Sequence, residues 1–121
     1  MNASTASRIA AAAGLLAVAL GAFGAHGLKG LLAQNGTTGI WEKAVLYHFV
    51  HALMLFILAE RKPLRIFAWW CFLAGIIVFS GSLYLLAATN WLWLGMVTPF
   101  GGVSFLAGWI CLMLKPGTTV Q

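Results

Sequence analysis

Only nine of the 121 residues carry a charge, seven lysines or arginines and two glutamates, and their spacing leaves long uncharged gaps. They stand at Arg8, Lys29, Glu42, Lys43, Glu60, Arg61, Lys62, Arg65 and Lys115. Between Arg8 and Lys29 lie 20 uncharged residues, between Lys43 and Glu60 another 16, and between Arg65 and Lys115 a run of 49. A helix that crosses a hydrocarbon core of about 30 Å needs about 20 mostly apolar residues. The first gap therefore holds one span. The second holds a span whose end includes Trp41, Glu42 and Lys43 at headgroup level. The third holds two, divided at Thr89-Asn90, where Trp91 and Trp93 suit the membrane interface.

The spacing predicts an all-α membrane protein, a four-helix transmembrane bundle with spans at about 9–28, 40–59, 66–88 and 91–114, forming one domain over 1–121. The apolar runs are continuous and do not alternate with period two, which requires helices and not a barrel. Composition agrees: 62% of residues are hydrophobic and 7% charged, where a soluble domain has about a quarter charged. Mean hydropathy is +0.96.

With four spans, both termini and the 60–65 loop share one side. That side carries Arg8, Arg61, Lys62, Arg65 and Lys115, against Lys29 and Lys43 on the other. The bias places both termini in the cytoplasm. The net charge of +5 is then a topology signal with some attraction to anionic lipid. It forms no patch on a soluble domain, and nucleic acid is excluded as a partner.

Residues 21–30 read GAFGAHGLKG. A dinucleotide loop needs G-x-G-x-x-G after a strand, and this spacing at the end of an apolar helix does not supply it. Arg8, the apolar run and Ala22-Phe23-Gly24 imitate a signal peptide, but cleavage there would leave three spans, and the segment is read as retained. Gly14, Ala17, Gly21, Gly24 and Ala25 make a flank of the first helix nearly free of side chains, the kind of face on which helices associate in lipid. Gly27 is expected to close that helix in a left-handed conformation. Residues 28–39 form a connector with a short interfacial turn around Leu28–Leu32.

GAFGAHGL, the Tyr-x-x-x-His-Ala segment from Tyr47 to Ala52, FSGSLYLLA at 79–87 and VTPFGGVSFLAGW at 97–109 resemble the DUF423 family. Its eukaryotic relatives include transmembrane protein 256. The resemblance covers essentially the whole chain in order. It implies a small multi-pass inner-membrane protein without an established biochemical activity.

Depth along each span gathers the polar residues. At 1.5 Å per residue, His48 and His51 lie about 10 and 15 Å below Trp41, Ser82 and Ser80 about 9 and 12 Å below Ala88, and Thr98 about 10 Å below Trp91. His26 and Tyr84 lie nearer the outer surface. The spacing predicts a polar layer of His26, Tyr47, His48, His51, Ser80, Ser82, Tyr84 and Thr98 in the outer half of the bundle, and an apolar inner half. Tyr47, His48 and His51 are three or four apart and are expected on one face. Pro99 leaves the Gly95 carbonyl unpartnered, so with Gly101 and Gly102 following, the fourth helix is expected to bend there.

Two functions suit such a layer. Interhelical hydrogen bonding around a proline kink makes the chain a non-catalytic membrane module that packs with itself, with lipid or with a partner membrane protein. The alternative is a small conduit or binding protein for protons, a metal ion or a small ligand. No metal site is assigned: His48 and His51 could share an ion, but Glu42 is six residues before His48 and points elsewhere, and HExxH is absent. Cys71 and Cys111 are read as packing residues without a disulfide. The chain contains no aspartate, so a Ser–His pair would lack an orienting carboxylate. No enzymatic activity and no cofactor are expected.

Overall fold

The computed structural model describes residues 1–114, and among them there are helices and no strand. We number them α1 (Ala3–Ala25), α2 (Lys29–Asn35), α3 (Thr38–Ala59), α4 (Ile66–Thr89) and α5 (Leu92–Leu114). All but α2 are long and apolar enough to cross a membrane. Lys115, one of the charges counted for orientation, lies outside the described residues.

The first span starts earlier than its charges suggest. The Asn2 side chain accepts the Thr5 N–H at 2.8 Å and caps the helix ahead of Arg8. The added turns bury Ala6 and Ala10, and the Ser7 hydroxyl donates to Glu60 at the end of α3 (2.9 Å). At its other end α1 stops at Ala25 with His26 as cap, and Gly27 is not left-handed. Instead, a Cβ on Gly27 would overlap the Phe23 ring, so space and not backbone torsion demands glycine there. The left-handed residues are Gly36, which closes α2, and Asn90, which closes α4.

Residues 29–35 form a full short helix where a single interfacial turn was expected. It lies over the ends of α3 and α4 and helps cap α4. Asn35 Nδ2 and Thr37 Oγ1 both donate to the Ala87 carbonyl, at 3.1 and 2.7 Å. Those carbonyls in the last turn have no helical partner of their own.

The helices pack in sequence, α1 on α3, α3 on α4 and α4 on α5. The α1–α3 seam is made of small residues, with Ala6, Ala10, Ala13, Ala17 and Gly24 buried at steps of three, four and seven. Gly14 and Ala25, expected on this face, fall beside it. Trp41 turns inward over Gly24, donates its indole N–H to the Leu20 carbonyl (2.9 Å) and is buried.

The α4–α5 seam works differently. The Phe72 ring sits over Gly108 and the Phe105 ring over Gly75, while Gly101 lets the backbone of Phe79 come close, so phenylalanines and glycines alternate between the two antiparallel helices. Residues Ile76–Ser80 widen α4 by one π turn inside this stretch. Pro99 does not kink a continuous helix. Residues Leu92–Met96 form a 3₁₀ segment, and a new α-helical run begins at Thr98, so Pro99 occupies its first turn, where a missing N–H costs nothing. Gly101 and Gly102 lie inside regular helix, where Gly101 serves the approach of Phe79.

Large apolar side chains cover the outside, among them Leu15, Phe67, Leu92 and Met113. In a bilayer this surface faces acyl chains.

Candidate functional site

Most of the polar residues expected in one layer do sit between helices, but they form separate closed pairs and not one cluster. Four of them are almost completely buried: His48, His51, Ser80 and Ser82.

His48 points from α3 toward α4, with Nδ1 2.8 Å from the Tyr84 hydroxyl. One imidazole thus joins α3 to α4.

Ser80 lies in the π turn and donates to the Ala44 carbonyl of α3 at 2.8 Å. Ser82 and Thr98 meet across the α4–α5 seam, oxygen to oxygen at 2.6 Å. Each also has a carbonyl within reach, Phe79 at 2.9 Å and Leu94 at 3.3 Å, so donation in either direction leaves both hydroxyls satisfied.

His51 diverges from His48 and turns toward α5. Its Nε2 lies 3.0 Å from the Trp109 indole nitrogen, and its Nδ1 lies 2.8 Å from the Tyr47 carbonyl. Indole can only donate and a carbonyl can only accept. The hydrogen-bond network therefore assigns His51 as the neutral Nδ1–H tautomer with both nitrogens occupied. The Phe105 ring stacks on it at 3.7 Å between centroids, 13° from parallel. Tyr47 lies nearly parallel to His51 and tilted by 44° to Phe79, and remains partly exposed.

His26 does not join the layer. It caps α1 at the α2 side of the bundle and is exposed. Bonding also extends further toward the chain's N-terminal side than depth alone suggests. Ser104 donates to the Cys71 carbonyl at 2.7 Å, and Arg65 donates to the Cys111 carbonyl at 3.2 Å. Trp69 lies deep in the same half, fully buried, with no partner for its indole nitrogen among the described residues.

Sequence reasoning missed Trp109 and Trp41 as members of the polar network. The available signal was chemical: a tryptophan away from water needs an acceptor for its N–H. Among the described residues no three histidine, cysteine or carboxylate side chains come together. The cysteines are free. Neither Ser80 nor Ser82 reaches an imidazole, since both are committed to other partners.

Known proteins match this arrangement as a sequence family. The profile described as "Protein of unknown function (DUF423)" matches residues 20–102. The chain belongs to the DUF423 family. Its DUF423 segment includes Trp41, His48, His51, Ser80, Ser82, Tyr84 and Thr98, and stops short of Trp109. The chain is 46% identical to the UPF0382 membrane protein YwdK of Bacillus subtilis, over 83% of this chain and 85% of that one. It is 44% identical to the UPF0382 membrane protein SAB0533 of Staphylococcus aureus, over 83% and 84%. UPF0382 membrane protein SH2409 of Staphylococcus haemolyticus is 42% identical, over 84% and 85%. These descriptions name membrane proteins and no catalytic activity. No solved structure matches the chain. This DUF423 member is a multi-pass membrane protein.

Proposed function

We propose that the chain is a non-catalytic module of the cytoplasmic membrane, held with both termini in the cytoplasm and built to pack against lipid or other membrane components. The observation that carries this reading is His51, with one nitrogen accepting from Trp109 and the other donating to Tyr47. A proton relay needs partners that can give up and take up a proton, and a metal ligand needs an open lone pair; an indole N–H and an amide carbonyl supply neither. His48 Nδ1 is likewise taken up by the Tyr84 hydroxyl. The hydroxyls of Ser80, Ser82 and Thr98 likewise close on neighbouring helices, which is how polar groups hold bundles together in lipid. The orientation is supported by Arg8, Arg61, Lys62 and Arg65 on one side against Lys29 and Lys43 on the other.

The test is proton flux into proteoliposomes with a trapped pH dye under an imposed potential. The module reading expects the rate of protein-free vesicles. A flux that disappears in His48→Gln or His51→Gln would establish the conduit instead. A fluorescent protein that matures only in the cytoplasm, fused at the N-terminus, reads the orientation.

A further inference from the structure

A cavity of about 620 Å³ opens along the α1–α3 seam on the α2 side. Its floor includes Gly21 and Gly24, and its open flank carries Leu46 and Phe49, which are 60% and 45% exposed toward the surrounding lipid. From Thr38 at its head to Phe49 at its foot the cavity follows 11 residues of α3, about 16 Å at the helical rise. That is about one leaflet of a 30 Å hydrocarbon core. Most of the wall is apolar. The polar exceptions stand together at the head: Lys29, Thr38 and Glu42.

Lys29 and Glu42 are one cation and one anion at the same mouth. Among the described residues neither forms an ion pair within 4.0 Å or a side-chain hydrogen bond. Both are exposed. An apolar slot one leaflet long, with opposite unpaired charges at its interfacial end, matches the layout of a zwitterionic lipid.

We propose that this cavity is a binding site for a zwitterionic phospholipid with a primary ammonium headgroup. One acyl chain lies against Gly21, Val45 and Leu46 and ends at Phe49. Lys29 meets the phosphate, and Glu42 accepts hydrogen bonds from the ammonium. A quaternary ammonium has no N–H to give, and phosphatidylglycerol offers Glu42 only neutral hydroxyls on a net-negative lipid, so the pair favours the primary ammonium. A second copy of the chain fits less well. A helix about 10 Å across laid on the slot would cover both charges, whereas a lipid leaves its head beside them. The proposal deepens the packing-module reading by naming what one face packs against.

The experiment uses the full chain in vesicles of phosphatidylcholine and phosphatidylglycerol doped with diazirine-acyl probes of phosphatidylethanolamine, phosphatidylcholine or phosphatidylglycerol. Adducts are mapped by mass spectrometry. The ethanolamine probe is expected to label segments 21–32 and 38–49 at least threefold more than either other probe. Glu42→Gln should remove the preference over phosphatidylcholine, and Lys29→Gln should lower labelling by both zwitterionic probes. Both positions are exposed, so folding is unaffected. Ala25→Leu, at an exposed position lining the slot, should reduce labelling by filling it. Equal labelling by all three probes, or indifference to the charge variants, would overturn the proposal. Proton flux in the same vesicles reads the module proposal separately: flux with selective labelling fails only the module, and unselective labelling without flux fails only the lipid site.

Discussion

The Phe105 ring lies where a Cβ on Gly75 of the neighbouring helix would have to stand. Phe72 has the same relation to Gly108. At Gly101 the obstacle is different, because the atoms met first are the backbone N and Cα of Phe79. A ring can swing aside; a helix backbone moves only with its whole element.

The glycines of the α4–α5 seam should therefore separate by rescue. Gly75→Ala, Gly101→Ala and Gly108→Ala are each expected to destabilise the bundle by about 1–3 kcal/mol through overpacking. Adding Phe105→Leu should recover part of the Gly75→Ala loss. Adding Phe79→Leu should recover almost none of the Gly101→Ala loss. Unfolding midpoints in mixed micelles measure all five variants.

On α1 the same residue type should give opposite signs. A Cβ on Gly24 would overlap the Trp41 indole, so Gly24→Ala should cost about 1–3 kcal/mol. Around Gly14 nothing lies within 4 Å, and Gly14→Ala should leave stability unchanged or raise it by up to about 1 kcal/mol through helix propensity. Finding both variants equally destabilised would show that the Trp41 contact is not what demands glycine.

The His51–Trp109 bond should appear as a coupling. Trp109→Phe keeps a ring and deletes the only donor to His51 Nε2, at a cost of about 0.6–1.7 kcal/mol. His51→Gln can still accept from Trp109 and should lose less. A double-mutant cycle with Trp109→Phe and His51→Leu should return a favourable interaction energy in the same range, and a value of zero would remove the bond from the account.

Ser82 and Thr98 give a smaller coupling. Each retains a carbonyl partner when the other is lost, Phe79 for Ser82 and Leu94 for Thr98. Ser82→Ala and Thr98→Val should each cost less than about 1 kcal/mol, and the double variant should cost less than their sum. Thermal unfolding of the three proteins in one detergent is sufficient.

The spans were legible because charge is intolerable inside a bilayer, so Arg8, Lys29, Lys43, Glu60 and Arg65 mark the helices' limits within a few residues. The ends were less legible, since Asn2 caps α1 through one local hydrogen bond that hydropathy does not register. The glycine face of α1 could be read as a packing face, and Gly21 and Gly24 do meet Val45 and Trp41 of the same chain. Gly27 and Pro99 were misjudged for a common reason. Each has two physical uses, and only the neighbouring elements decide between them. Of the residues expected in the polar layer, His48, Ser80, Ser82 and Thr98 bond to neighbouring helices. Its division into pairs was not readable, because azimuth depends on the π turn at Ile76–Ser80, and nothing in Ile-Ile-Val-Phe-Ser announces one.

The alternating rings and glycines of α4 and α5 also act as a mechanical detent. Sliding α5 along α4 by a turn would carry each ring out of its hollow and onto a side chain, so the pair has one stable register. The alanines of the α1–α3 seam have no such teeth, apart from Trp41 seated in Gly24 at one end. On that seam, which also holds the open slot, register is marked only at the ends, by Trp41 over Gly24 at one and the Ser7–Glu60 hydrogen bond at the other.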